Sequence, residues 1–243
     1  VELAGRPEKI PSTGALSLVR SDPLSQGPKL FSQHCQSCHA YIDPTAENAA
    51  EVFAESSAAN LFKFGGESWV RGLLDPKRVG GAAYFGNTAH KEGDMVSFVC
   101  EDFTDEDEWK RADKEAVVFA LVAEAGLLQE SGRKNVIKRG QELITDTDRC
   151  GSCHPYRNNE TELGYAPDLN GWGSEEWLVG IVTDPTHQRF YPDTNDRMPR
   201  FGVASDGGLQ ALSDKQIQLV SQWLRGSWYR PVGHNPKNVS EHP

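Results

Sequence analysis

Methionine is almost missing from this chain: Met95 and Met198 are the only two in 243 residues. Methionine is the adaptable filler of apolar cores, so a chain with so little of it is not using it for that purpose, and each copy asks for its own explanation. Long apolar runs are missing too. No stretch approaches the roughly 18 consecutive apolar residues of a membrane helix, so direct membrane insertion of this chain is not expected. Basic side chains are in deficit, 25 Lys+Arg against 35 Asp+Glu for a net charge of −10. That balance argues against a nucleic-acid or anionic-membrane surface and favours the steering of a basic partner. Aromatics are not scarce. Six Trp, ten Phe and six Tyr supply the bulky apolar surface of a packed core, which disordered chains lack. The first residue is Val1 and no charged-then-apolar leader follows it, as expected of a processed protein or a piece of a longer one.

Four of the five cysteines fall in two copies of one motif, Cys35-Gln36-Ser37-Cys38-His39 and Cys150-Gly151-Ser152-Cys153-His154. On a helical turn the three-residue step puts both sulfurs on one face, where they can form thioethers to the two vinyl groups of a haem. The adjoining histidine then turns its imidazole to the iron. A redox dithiol, a four-Cys zinc site or a pair of disulfides would account for the cysteines but has no need of a histidine after both pairs. Two covalently bound haem c groups are therefore expected, with His39 and His154 on the irons.

A sixth ligand is needed if the iron is to be closed to small molecules, and a thioether there raises the potential. Met95 lies downstream of the first motif and Met198 downstream of the second, so chain order pairs His39 with Met95 and His154 with Met198. Pro199 braces the backbone after Met198, whereas Val96 follows Met95. His90 and Cys100 are rival ligands at the first site. Cys100 is otherwise the spare cysteine, expected to be buried and inert after the apolar run 95–99.

The chain also repeats itself. Residues 27–31 (Gly-Pro-Lys-Leu-Phe) answer residues 140–144 (Gly-Gln-Glu-Leu-Ile), and 61–74, with Trp69, aligns without a gap on 169–182, with Trp177. Asp75-Pro76 and Asp184-Pro185 follow, and each unit closes with a helix, over 106–125 after Thr104-Asp105 and over 215–225 after Ser213-Asp214. Two units are expected, 27–130 and 131–230, after a Pro-, Gly- and Ser-rich extended lead-in over 1–26 and before a tail over 231–243. No alternating strand pattern occurs, and an all-α fold is expected in which long glycine-rich loops wrap a haem and present the methionine.

These features together resemble class I cytochromes c in a tandem dihaem form, over the span from Gly27 to Gly226. The resemblance is carried by the C-x-x-C-H at 35–39 and 150–154, the Gly-x-x-Leu-Phe/Ile lead-in, the Trp-bearing helix and the downstream methionine. It implies haem-contacting roles for Trp69 and Trp177, and a carbonyl from Pro167 to the imidazole of His154. Ala59 stands at the position equivalent to Pro167. Residues 64–88 also look like the cytochrome c segment attached to the cytochrome b of Rieske/cytochrome b quinol-oxidising complexes. The function implied is single-electron transfer between such a complex, or a dehydrogenase, and a redox acceptor that is basic where it docks. The expected place is the periplasm or the outer face of the bacterial cytoplasmic membrane. A dihaem peroxidase or thiosulfate-type enzyme working at the first haem is the alternative.

Overall fold

The computed structural model describes residues 12, 14–103, 108–128, 132–204 and 209–226. Among them are nine α-helices and no β-strand; the closest approach to a sheet is an isolated bridge between His39 and Ala58. None of these helices is long and apolar enough to cross a membrane. The expected cap at Thr104-Asp105, residues 129–131 of the joint expected near 129–135, and the tail at 231–243 lie outside the described residues.

Local sequence explains where the helices begin and end. The lead-in is not extended throughout: α1 runs over Ala15–Arg20, and α2 starts inside the segment, at Pro23, and runs to His34. Pro23 occupies the first helical position, where its missing N–H is no loss, and the Asp22 carboxylate accepts from the backbone N–H of Leu24 and Ser25. Next come α3 (Ala49–Glu55), α4 (Glu67–Leu73), α5 (Asp94–Asp102) and α6 (Glu108–Glu124). The remaining helices are α7 (Lys134–Thr145), α8 (Glu175–Thr183) and α9 (Asp214–Arg225). Ser213 and Gln216 close a reciprocal capping box on α9, as the Ser-Asp start signalled.

The packing does not follow the repeat. The amino-terminal helix of the first unit, α2, packs on the carboxy-terminal helix of the second, α9, while α6 packs on α7; α4 rests on α6 and α8 on α9. A short connection makes α6 and α7 spatial neighbours, which leaves α2 and α9 to cover each other. Both crossings depend on a glycine. A Cβ on Gly27 would overlap the Trp223 side chain, and one on Gly140 would overlap the Ala116 carbonyl. Gly140→Ala is expected to cost about 3 kcal/mol, the upper end for overpacking a core, because a backbone carbonyl cannot swing away. Gly80→Ala, whose Cβ would sit 3.6 Å from Val96, should change stability by less than about 0.5 kcal/mol. Urea midpoints of the two variants test the contrast.

Two apolar cores result, and each draws on both units. The larger gathers Trp69, Val70, Tyr84 and Val99 with Ile144, Tyr156, Trp172 and Trp177. The smaller gathers Leu30 and Phe31 with Val182, Phe201, Ile217 and Trp223. The repeats meet in the larger one, where Phe64 and its counterpart Trp172 lie 5.2 Å apart between ring centres.

Candidate functional site

Each C-x-x-C-H segment is wound into a tight turn at the end of a helix. After α2 the N–H of Cys35 bonds the Phe31 carbonyl at 2.8 Å, and the N–H of His39 returns to the Cys35 carbonyl at 2.9 Å. After α7 a 3₁₀ turn spans Cys150–Ser152, and His154 N–H reaches the Cys150 carbonyl at 2.9 Å. The turns bring first cysteine, second cysteine and histidine together as the spacing required.

The two imidazoles are held identically. His39 Nδ1 lies 2.8 Å from the Ala59 carbonyl oxygen, and His154 Nδ1 lies 2.8 Å from that of Pro167. A carbonyl only accepts, so Nδ1 carries the proton and Nε2 is left with its lone pair, the form in which histidine ligates a metal. Burial holds both imidazoles below their ordinary pKa, against an opposing contribution from the carbonyl bond, which keeps them neutral. Pro167 is thus at the histidine, and in the first unit the Ala59 carbonyl does the same without the proline ring.

Trp69 and Trp177 are held by their indole N–H groups. Their indole N–H groups donate to the backbone carbonyls of Asn60 at 2.7 Å and Asp168 at 2.9 Å, the residues directly after Ala59 and Pro167. They brace the strip of backbone that holds each histidine. The wall residue is Trp172, which the alignment with Phe64 could have flagged as an aromatic position. Trp177→Phe leaves the Asp168 carbonyl without its buried donor and is expected to cost about 1–2 kcal/mol, measured as a lowered urea midpoint.

A cavity of about 470 Å³ opens at the second motif, within the roughly 300–1,000 Å³ of cofactor and ligand pockets. Cys150, Cys153, His154 and Pro167 line it from the second unit; Leu73, His90, Met95 and Phe98 line it from the first. Chain order had assigned Met95 to the first motif, and on a loop; it sits instead at the start of α5, on the wall of the cavity that holds His154. The placement follows from the packing: α4 and α6 turn this face of the first unit towards α7. Met198 is found on the irregular segment after α8, where Asn195 Nδ2 donates to its carbonyl at 3.0 Å, packed in the smaller core with Cys35 and Tyr41.

The rival first-site ligands separate. His90 lies in the His154 cavity, 5.9 Å from the Tyr191 ring, not beside His39. Cys100 is exposed on α5, its thiol directed to the Pro76 carbonyl at 3.6 Å, and is not the buried residue its apolar prefix suggested. The run 95–99 is one helical turn with a buried Val99, and Cys100 is the next position round the helix.

None of the five cysteines is paired in a disulfide. Cys35 and Cys150 are both pushed up to about 11 by burial, with a further rise at Cys35 from the Cys38 charge, whereas a redox dithiol needs a lowered thiol pKa. Cys35 packs with one core and Cys150 with the other, so the pairs do not meet as a four-Cys site. Among the described residues no three His, Cys, Asp or Glu side chains converge to hold a bare ion. The donor set suits a haem instead: two half-buried thiols and one Nε2 on each turn, a methionine in the same core, and, at the second motif, a largely apolar cavity beside them. Compared with protein family models, curated proteins and solved structures, the chain finds no match.

Proposed function

We propose that the chain is a dihaem c-type cytochrome that passes single electrons between redox partners. The observation that carries this reading is the paired geometry of His39 and His154, each fixed through Nδ1 to a carbonyl at 2.8 Å with Nε2 free. When bound, each haem supplies a one-electron ferric/ferrous couple. The chain does the rest. Cys35 and Cys38, and Cys150 and Cys153, furnish the sulfurs for attachment; Met95 and Met198 furnish thioethers; Phe98, Leu73 and Trp172 keep water from the cavity wall. His39, His154, Met95 and Met198 would together give each iron two protein ligands, an arrangement that suits electron transfer and opposes substrate chemistry.

His90 favours one second reading. It lines the same cavity as Met95, so a dihaem oxidoreductase in which the methionine is labile would have a second imidazole at hand. Cyanide binding to native ferric protein marks that enzyme; a six-coordinate carrier resists it.

The proposed setting is the outer side of the bacterial cytoplasmic membrane, where haem c is attached, with a quinol-oxidising cytochrome b/Rieske complex or a dehydrogenase as donor. The net charge of −10 favours a basic docking face, and the rate of electron exchange with such a partner should fall as salt rises.

Matured in a bacterium that attaches haem c, the chain should carry two haems by intact mass and by pyridine haemochrome. Cys150→Ser/Cys153→Ser should carry one. An unmodified chain from a host that loads a control cytochrome overturns the proposal.

A further inference from the structure

The order of the motifs along the chain and the order of the methionines in space disagree. Met95 packs in the larger core with Cys150, and shares with Cys150, Cys153 and His154 the cavity of about 470 Å³. Its neighbour repeats the contact: Tyr165, two residues before Pro167, donates its hydroxyl to the Asp94 carboxylate.

The second methionine shows the mirror arrangement. Met198 packs in the smaller core with Cys35. Phe201, three residues on, meets the ring of His34 edge-on at 6.3 Å. Asp196 accepts from the N–H of Ala89 at 3.0 Å, tying the two methionine-bearing segments to each other where they pass. The helices cross over in the same sense, α2 with α9 and α6 with α7.

Resting on the haem reading above, we propose that the axial pairs are crossed, His154 with Met95 and His39 with Met198. Each haem is then bonded through cysteine to one unit and through methionine sulfur to the other, so the two haems strap the halves together. Neither repeat builds a complete site from its own residues, and a substitution in one half changes the haem attached to the other.

The test uses two single-haem forms of the full chain, Cys35→Ser/Cys38→Ser and Cys150→Ser/Cys153→Ser, each combined with Met95→Leu or Met198→Leu. The readouts are the weak near-infrared band of methionine on ferric haem and the midpoint potential. With haem on Cys150 and Cys153 alone, Met95→Leu should abolish the band and shift the potential, and Met198→Leu should leave both as they were. With haem on Cys35 and Cys38 alone the roles should exchange. The opposite pattern establishes chain-order pairing and overturns the proposal. Full haem loading with no band in any form overturns it too, while leaving covalent attachment intact; absence of covalent haem from the wild type overturns the haem reading itself.

If a single-haem form does not fold, the dihaem protein answers directly. With methyl-labelled methionine its ferrous NMR spectrum has two methyl signals, assigned from the two Leu variants. A nuclear Overhauser contact from the Met95 methyl to the haem joined to Cys150 and Cys153 is expected. A contact to the haem on Cys35 and Cys38 sinks the crossed arrangement.

Discussion

A chain in which Cys35, Cys38, Cys150 and Cys153 are all serine, produced without haem, is expected to keep its helices and lose its fixed core. The reason is the volume left behind. The cavity at His154 measures about 470 Å³, and unfilled core volume costs on the order of 24 cal/mol per Å³, or roughly 11 kcal/mol. A whole domain is stable by only about 5–15 kcal/mol, so this one void is comparable to everything that holds the native state. Helices with their own caps, such as α2 and α9, survive the loss because their backbone bonds are local. The fixed packing of Ile144, Leu169 and Trp172 does not, since all three line the cavity that the proposed haem would fill. Far-UV circular dichroism should stay helical, near-UV signal should vanish, and a dye that reports exposed apolar surface should bind, the signature of a molten globule. A single sharp unfolding transition with native near-UV signal would show that the core closes by itself and that the cavity is not built for a cofactor.

Much of this was legible in the sequence, because it depends on neighbours along the chain. The C-x-x-C-H turns, the capping box at Ser213, the helix that carries Trp177 and the absence of strands among the described residues all follow from spacings of a few residues. The carbonyl from Pro167 to His154 was legible through the resemblance. What chain order could not supply was which half packs on which. A repeat predicts that each unit closes on itself, but a short connection makes α6 and α7 partners and so sends α2 to α9. Met95 comes to line the cavity of the second motif as a consequence of that exchange, with no mark of it in the neighbouring sequence. Trp69 and Trp177 show another limit of the sequence: their N–H groups are bound to the Asn60 and Asp168 carbonyls. An invariant place in a repeat says that an indole is wanted, not whether its N–H serves a cofactor or the carbonyl of the next loop. The exposure of Cys100 was a matter of phase: four apolar residues before it, but the wrong side of α5.

The second large effect is expected at Glu124, the last residue of α6, where a side chain of the first unit secures the loops of the second. One carboxylate oxygen accepts from the Tyr156 hydroxyl at 2.6 Å and from Arg157 at 3.2 Å; the other accepts from the backbone N–H of Gly171 at 2.9 Å. Tyr156 is fully buried, and burial together with its bond to Glu124 holds the phenol well above its usual pKa, so it stays a donor. Glu124→Ala therefore removes the acceptor for a buried hydroxyl and for a backbone amide, and strips Arg157 of its counter-charge. Each buried donor left unpaired costs about 1–3 kcal/mol, and the exposed part of Arg157 adds little. The sum expected is about 3 kcal/mol, read as a lower urea midpoint at unchanged slope in the haem-loaded protein. Glu124→Gln keeps an acceptor oxygen and should lose about half as much. Tyr156→Phe takes away the hydroxyl as well as its need for a partner, so in the Glu124→Ala background it should cost less than in the wild type. That difference is the coupling energy of the pair. Strictly additive effects would mean that Tyr156 has found another acceptor, and an unchanged midpoint in Glu124→Ala would mean that the end of α6 does not anchor the loop leading from His154 to Gly171.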